Sequence, residues 1–132
     1  MQVIKTNQPA TLGDLIHWEV NSTFTTEDGV LLAGSGGSRV VPQFAVISRV
    51  TASKKLQQID FAGSGGANVA FGVSLLPALA ADGVDDEIKY LRRGPAILHA
   101  ENIVWPAGAT DSQKATALEQ LADKGLVAKE GI

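Results

Sequence analysis

The sequence predicts a mainly β domain closed by a single C-terminal helix. Two patterns carry that expectation. Short β-branched runs separated by glycine and proline turns fill most of the chain, and one capped amphipathic stretch stands near its end. Size agrees: 132 residues fit one domain with one core.

Residues 1–13 are polar and lack helical periodicity, with Pro9 and Gly13 interrupting them. They predict an extended, mobile arm ahead of a single domain over residues 14–132. Leu15, Ile16, Trp18 and Val20 then suggest a first short strand over 14–20. Thr23, Phe24, Thr25 and Thr26 are strand formers too. Asp28-Gly29 reads as a hairpin turn, with residues 30–33 as the returning strand.

The middle of the chain carries one pentapeptide twice, Ala33-Gly34-Ser35-Gly36-Gly37 and Ala62-Gly63-Ser64-Gly65-Gly66. Two copies do not make a stacked-repeat protein, which needs at least about three units. Between them, Val40-Val41, residues 44–50 and residues 55–61 read as strands of an antiparallel or bent-ribbon architecture. Residues 69–76 have few polar side chains and read as a more buried strand. Residues 87–92 alternate Ile88 and Tyr90 with Lys89, which suggests a surface strand. Gly94-Pro95 bends the chain, and residues 96–99 continue it.

The helix is expected over residues 110–124. Thr110 is a good N-cap, and Gln113 three residues later completes a capping box. Asp111 places negative charge where the helix dipole favours it. Ala115, Leu118, Leu121 and Ala122 form one apolar stripe, and Gly125 stands where a helix ends. Leu126 and Val127 then pack back or extend the sheet.

Composition excludes several function classes. There is no cysteine, so no disulfide, zinc ribbon or thiol nucleophile can form. The start lacks the basic and apolar blocks of a signal peptide. The longest apolar stretch, 71–81, is too short for a bilayer, which needs about 20 residues. Net charge is −3 with both signs interspersed, and no basic stripe converges on a phosphate backbone. The glycine loops lack the lysine and hydroxyl that end a phosphate loop. Ser35 and Ser64 miss the nucleophile-elbow pattern by one residue, and the segments after them read as strands, not helices. His17 and His99 lack metal-ligand spacing. Asp82, Asp85, Asp86 and Glu87 lack the spacing of a calcium loop. Trp105-Pro106 reads as a packing anchor before the helix.

Residues 100–114, with Trp105-Pro106, a small-residue loop and the helix start, resemble the C-terminal signature of the head decoration protein D family of lambda-like phages. Arg93-Gly94-Pro95-Ala96-Ile97, Ala70-Phe71-Gly72-Val73 and Gly13-Asp14-Leu15-Ile16 with Glu19 are similar to that family as well. One departure stands at Gln43-Phe44-Ala45-Val46, where bulky Phe44 replaces an expected glycine-containing turn.

The resemblance implies a β-clip-like bent ribbon or incomplete barrel with a C-terminal helix. It implies a homotrimer on the outside of an expanded capsid, at its three-fold positions, with an arm that orders by pairing with a strand of the major capsid protein. It implies no enzyme, cofactor or metal, no direct nucleic-acid contact and no membrane. Assembly would take place in the host cytoplasm. An arm of 13 residues reaches on the order of 40 Å when extended. The expected capsid-binding segment is Thr11, Leu12, Gly13, Asp14, Leu15, Trp18 and Glu19, with Leu12, Leu15 and Trp18 as apolar anchors. Leu15 and Trp18 are equally suited to the domain core. Three other readings stay open. One is a β-rich module binding a sugar or peptide at the glycine loops. Another is a small hydrolase using Ser35 or Ser64. The last is a tail or spike component.

Overall fold

The computed structural model describes residues 11–131. Most of the expected arm, residues 1–10, therefore lies outside the described residues. Within them the chain runs α1 (Leu12–Leu15), β1 (Ile16–Glu19), α2 (Ser22–Thr25), β2 (Thr26–Leu31), β3 (Arg39–Val41), β4 (Val46–Arg49) and β5 (Leu56–Gln58). It continues through β6 (Gly72–Ser74), β7 (Ala78–Ala80), β8 (Asp86–Leu91), β9 (Ala96–His99), a 3-10 turn (Ala100–Asn102), α3 (Asp111–Ala122) and β10 (Leu126–Lys129).

The strands form three sheets. β2, β5, β4, β6 and β8 form a ring, β1, β9 and β10 a three-stranded sheet, and β3 and β7 a two-stranded ribbon. The ring's last seam is thin. β2 meets β5 through one residue pair, Leu31 and Leu56, and Leu32 N–H donates to the Leu56 carbonyl at 2.8 Å. The sheet is thus only partly closed. The fold is mainly β with one long C-terminal helix, as the sequence predicts.

Two clusters make the core. Leu31, Val41, Ala45, Ile47, Leu56, Ile88 and Tyr90 fill the ring. Leu15, Phe44, Val46, Val73, Leu91, Leu98, Leu121 and Leu126 pack between the ring, α3 and the three-stranded sheet. Val104 touches both.

Three readings of the strands change. The hairpin at Asp28-Gly29 is absent, because β2 runs straight through it and pairs with β8 along its whole length. Gly29 serves close packing: a Cβ there would stand 2.6 Å from Leu56 Cδ1 and 3.1 Å from the Tyr90 ring. Residues 22–25 form a helical turn, because the Asn21 side chain accepts from Thr23 N–H at 2.9 Å and caps it. The first strand starts later than expected. Thr11 N–H donates to the Asp14 carboxylate at 2.8 Å, which holds residues 12–15 in a turn. β8 alternates as expected, with Ile88 and Tyr90 buried and Lys89 exposed, and Leu91 at its end is buried as well.

The helix is capped as expected. Thr110 N–H donates to Gln113 Oε1 at 2.9 Å, and Gln113 N–H returns to Thr110 Oγ1 at 3.2 Å. It ends at Ala122 rather than 124, and turn hydrogen bonds carry the chain on to Gly125 at φ +84°. Its buried residues are Ala117 and Leu121; Ala115 and Ala122 are exposed, so the packed face is rotated from the expected stripe. Phe44, where a glycine-containing turn was expected, takes φ +65°. A non-glycine residue there costs on the order of 1 kcal/mol, and burial of the phenyl ring in the core offsets it.

Candidate functional site

The three-stranded sheet divides its side chains between two faces. β9 lies at its centre, with β1 antiparallel on one side and β10 parallel on the other. Side chains alternate along each strand, and residues opposite one another share a face. Ala96 pairs with Leu126 and Leu98 with Ile16, and these face the core. Ile97 therefore points the other way. Its partners are Val127 on β10 and Trp18 on β1. A register irregularity between Ile16 and Trp18 brings Trp18 onto the outer face. The result is one apolar row across three strands. Trp18 is 50% exposed, Val127 39%, and Ile97 is half-buried.

Beside this row, His17 and His99 meet edge to face with ring centroids 5.4 Å apart. Glu101 stands 3.7 Å from His99 Nδ1. Among the described residues, no cluster of His, Asp and Glu is arranged to hold a metal ion. Ser35 and Ser64 lie in exposed glycine loops, while the imidazoles lie against each other on β1 and at the end of β9. No helix among the described residues is long and apolar enough to cross a membrane.

The expected contact segment splits. Thr11, Leu12 and Gly13 are exposed, with Leu12 at 46%. Asp14 holds Thr11, and its carbonyl accepts from Asn102 Nδ2 at 2.6 Å. Leu15 is fully buried, so it is a core residue, and the reading of it as a surface anchor is corrected. Its position one residue before the strand turns it under the sheet, against the core cluster. Glu19 is half-buried and accepts from Thr25 Oγ1 at 2.6 Å, an internal bond that fixes the start of β2.

Residues 5–126 match the family model of the Bacteriophage lambda head decoration protein D. The chain belongs to that family. The match spans nearly the whole sequence, well beyond the C-terminal segment where the resemblance is strongest. A comparison with curated proteins returns no match. Membership makes the chain a phage head component of structural type, associated with the capsid.

For a head decoration protein the outward apolar row is the feature of interest, and sequence reasoning found only part of it. Trp18 was legible. Ile97 and Val127 were not, because their exposure follows from which strand β9 pairs with on each side. The alternation Ala96, Ile97, Leu98 was the available signal, but it does not say which face is inside.

A second polar constellation lies at the end of β8. Arg92 Nη1 donates to both Glu27 carboxylate oxygens at 2.7 Å, and Arg93 Nη2 reaches the same carboxylate at 3.1 Å. The Arg92 hydrogen bond holds the Glu27 carboxyl below its usual range, against the opposing effect of burial. Tyr90 Oη donates to Glu27 at 3.3 Å, and burial pushes the phenol up to about 12.

Proposed function

We propose that this chain decorates the outside of an expanded phage head as a homotrimer, binding the major capsid protein and stabilising the shell against packaged DNA. The outer face of the β1–β9–β10 sheet makes the contact, together with Thr11, Leu12, Gly13 and the residues before them. The observation that carries this reading is the outward row of Trp18, Ile97 and Val127. Exposed tryptophan framed by aliphatic side chains is the composition of an interface anchor. Asp14 and Glu19 act from within, holding the turn before β1 and the start of β2.

The energetics follow from the arrangement. Each domain offers a modest apolar surface, and an arm that orders on binding gives up conformational entropy. One contact alone is therefore weak. Three on one rigid trimer make the second and third contacts intramolecular, so avidity multiplies. A trimer that binds only the expanded shell stabilises that shell by linkage.

The test uses purified expanded heads stripped of decoration and the chain with and without residues 1–10. The full chain should saturate the heads and raise their resistance to heat. The truncated chain should keep its solution mass and lose most of its occupancy. Full occupancy by the truncated chain would remove the arm from the contact. Absence of binding by the full chain would overturn the decoration reading itself.

A further inference from the structure

Phe71, just before β6, has three cations around one ring. Arg49 at the end of β4 stands 4.4 Å from the ring centroid, Lys124 beyond α3 4.6 Å and Arg92 just past β8 5.5 Å. Each gains from the ring quadrupole, on the order of 1 kcal/mol. Like charges gathered this closely also repel one another. The backbone holds them there. Arg92 N–H donates to the Thr25 carbonyl at 2.8 Å, and the Lys124 carbonyl accepts from Gly94 N–H at 2.8 Å. Arg49 pairs with Leu56 inside the ring of strands. The crowding is therefore built into the fold from separate segments of the chain.

These charges are unequally met. Arg92 is neutralised by Glu27, a carboxylate it shares with Arg93. Among the described residues neither Arg49 nor Lys124 makes an ion pair. Both are half-buried, and the Arg49 guanidinium lies against the Phe71 ring without a protein acceptor among the described residues. A guanidinium presents five N–H donors in a planar fork. Burial, then the charges of Arg49 and Arg92, hold the Lys124 amine below its usual range, against the opposing charge of Asp123. Arg49, Arg92, Arg93 and Lys124 thus face only Glu27 and Asp123, so positive charge is in excess.

We propose that Arg49 and Lys124, beside the Phe71 ring, bind a dianionic oxyanion of the phosphate type. A phosphate group carries about −1.5 to −2 charge at neutral pH and several strong acceptor oxygens, which matches two unmet cations. The guanidinium fork grips two oxygens side by side, and the ammonium acts as a point charge on a third. A carboxylate brings a single charge and leaves one cation unmet. Stems already fixed by the backbone lose little freedom on binding. The ion would tie the end of β4 to the segment between α3 and β10, and so stabilise the folded chain by linkage. This site needs neither the trimer nor the shell.

The experiment titrates inorganic phosphate into the full chain, with sodium chloride holding ionic strength constant. Binding is followed by calorimetry and by the nuclear magnetic resonance signal of the Lys124 side chain. The wild type should show a saturable shift, and its Lys124 amine should titrate closer to the ordinary range when phosphate is bound. R49Q and K124Q, shown to be folded by circular dichroism, should each bind on the order of tenfold more weakly. R49K keeps the charge without the fork and should fall between R49Q and the wild type. Acetate at the same ionic strength should have a much smaller effect. Phosphate also stabilises proteins generally by exclusion from their surface, and that component does not saturate and is common to the variants. A wild-type chain without a saturable shift overturns the site, and so does unchanged affinity in R49Q and K124Q. An equal response to acetate overturns the dianion. The wild-type amine titration decides even if a variant fails to fold: an amine that phosphate leaves unmoved overturns the proposal.

Discussion

The two faces of the β1–β9–β10 sheet share the same strands and differ in everything else. Beneath it, Ala96, Leu98 and Leu126 are closed off by Leu15 and Leu121. Above it, Trp18, Ile97 and Val127 form a row that solvent reaches. Successive residues of β9 thus serve opposite ends. Leu98 holds the domain together, while Ile97 offers apolar surface that the domain leaves uncovered. Apolar residues on an outer face contribute little to folding, and a contiguous group of them marks an interaction site. Stability and binding should therefore respond to different residues of one short strand.

Breaking the inner face should have the largest effect. Leu98→Ala removes a fully buried side chain and should cost about 2–5 kcal/mol in urea unfolding. A loss under about 1 kcal/mol would show that the inner face is not the core.

The ring core behind that face offers a second break. Tyr90 is the chain's single tyrosine, so absorbance near 295 nm follows it alone. Burial pushes its phenol from an ordinary 10.0 up to about 12. The unfolded chain therefore ionises first, and stability is lost as pH rises from about 10 to about 12. Tyr90→Phe should remove that component, and a tyrosinate titration near the ordinary value would contradict the packing.

Helix α3 supports the inner face through Ala117 and Leu121. Thr110→Ala removes the cap and should cost about 1 kcal/mol, a smaller loss than at Leu98. The smallest effect belongs to the outer face. Trp18→Ala should shift unfolding by no more than about 0.5 kcal/mol, since its side chain is half exposed.

Much of this was legible in the sequence where local chemistry decides. The Thr110–Gln113 capping box placed α3 at its start, and the β-branched runs gave β3 and β4. Tertiary contacts decided the rest. Gly29 is silent in sequence about whether it makes a turn or admits the Tyr90 ring, and the pairing with β8 selects the second. Asn21 overrode the β propensity of Thr23 and Thr25 through one hydrogen bond. The site followed the same division. Trp18 was readable as an anchor. Leu15 was assigned to the core only by the turn before β1, and Val127 joined the outer row only because the register of β10 sets it opposite Ile97. The family resemblance was visible at Trp105-Pro106 and covers residues 5–126.

The central claim is that the outer face binds the shell without holding the fold, and Trp18→Ala tests it most directly. The measurement is the occupancy of undecorated expanded heads over a range of protein concentration, for the wild type and this variant. A folded variant with wild-type thermal stability and an affinity weakened on the order of 30-fold, the scale of an interface hot spot, is the result predicted. Undiminished occupancy by the variant would contradict the account and move the contact to another face of the molecule.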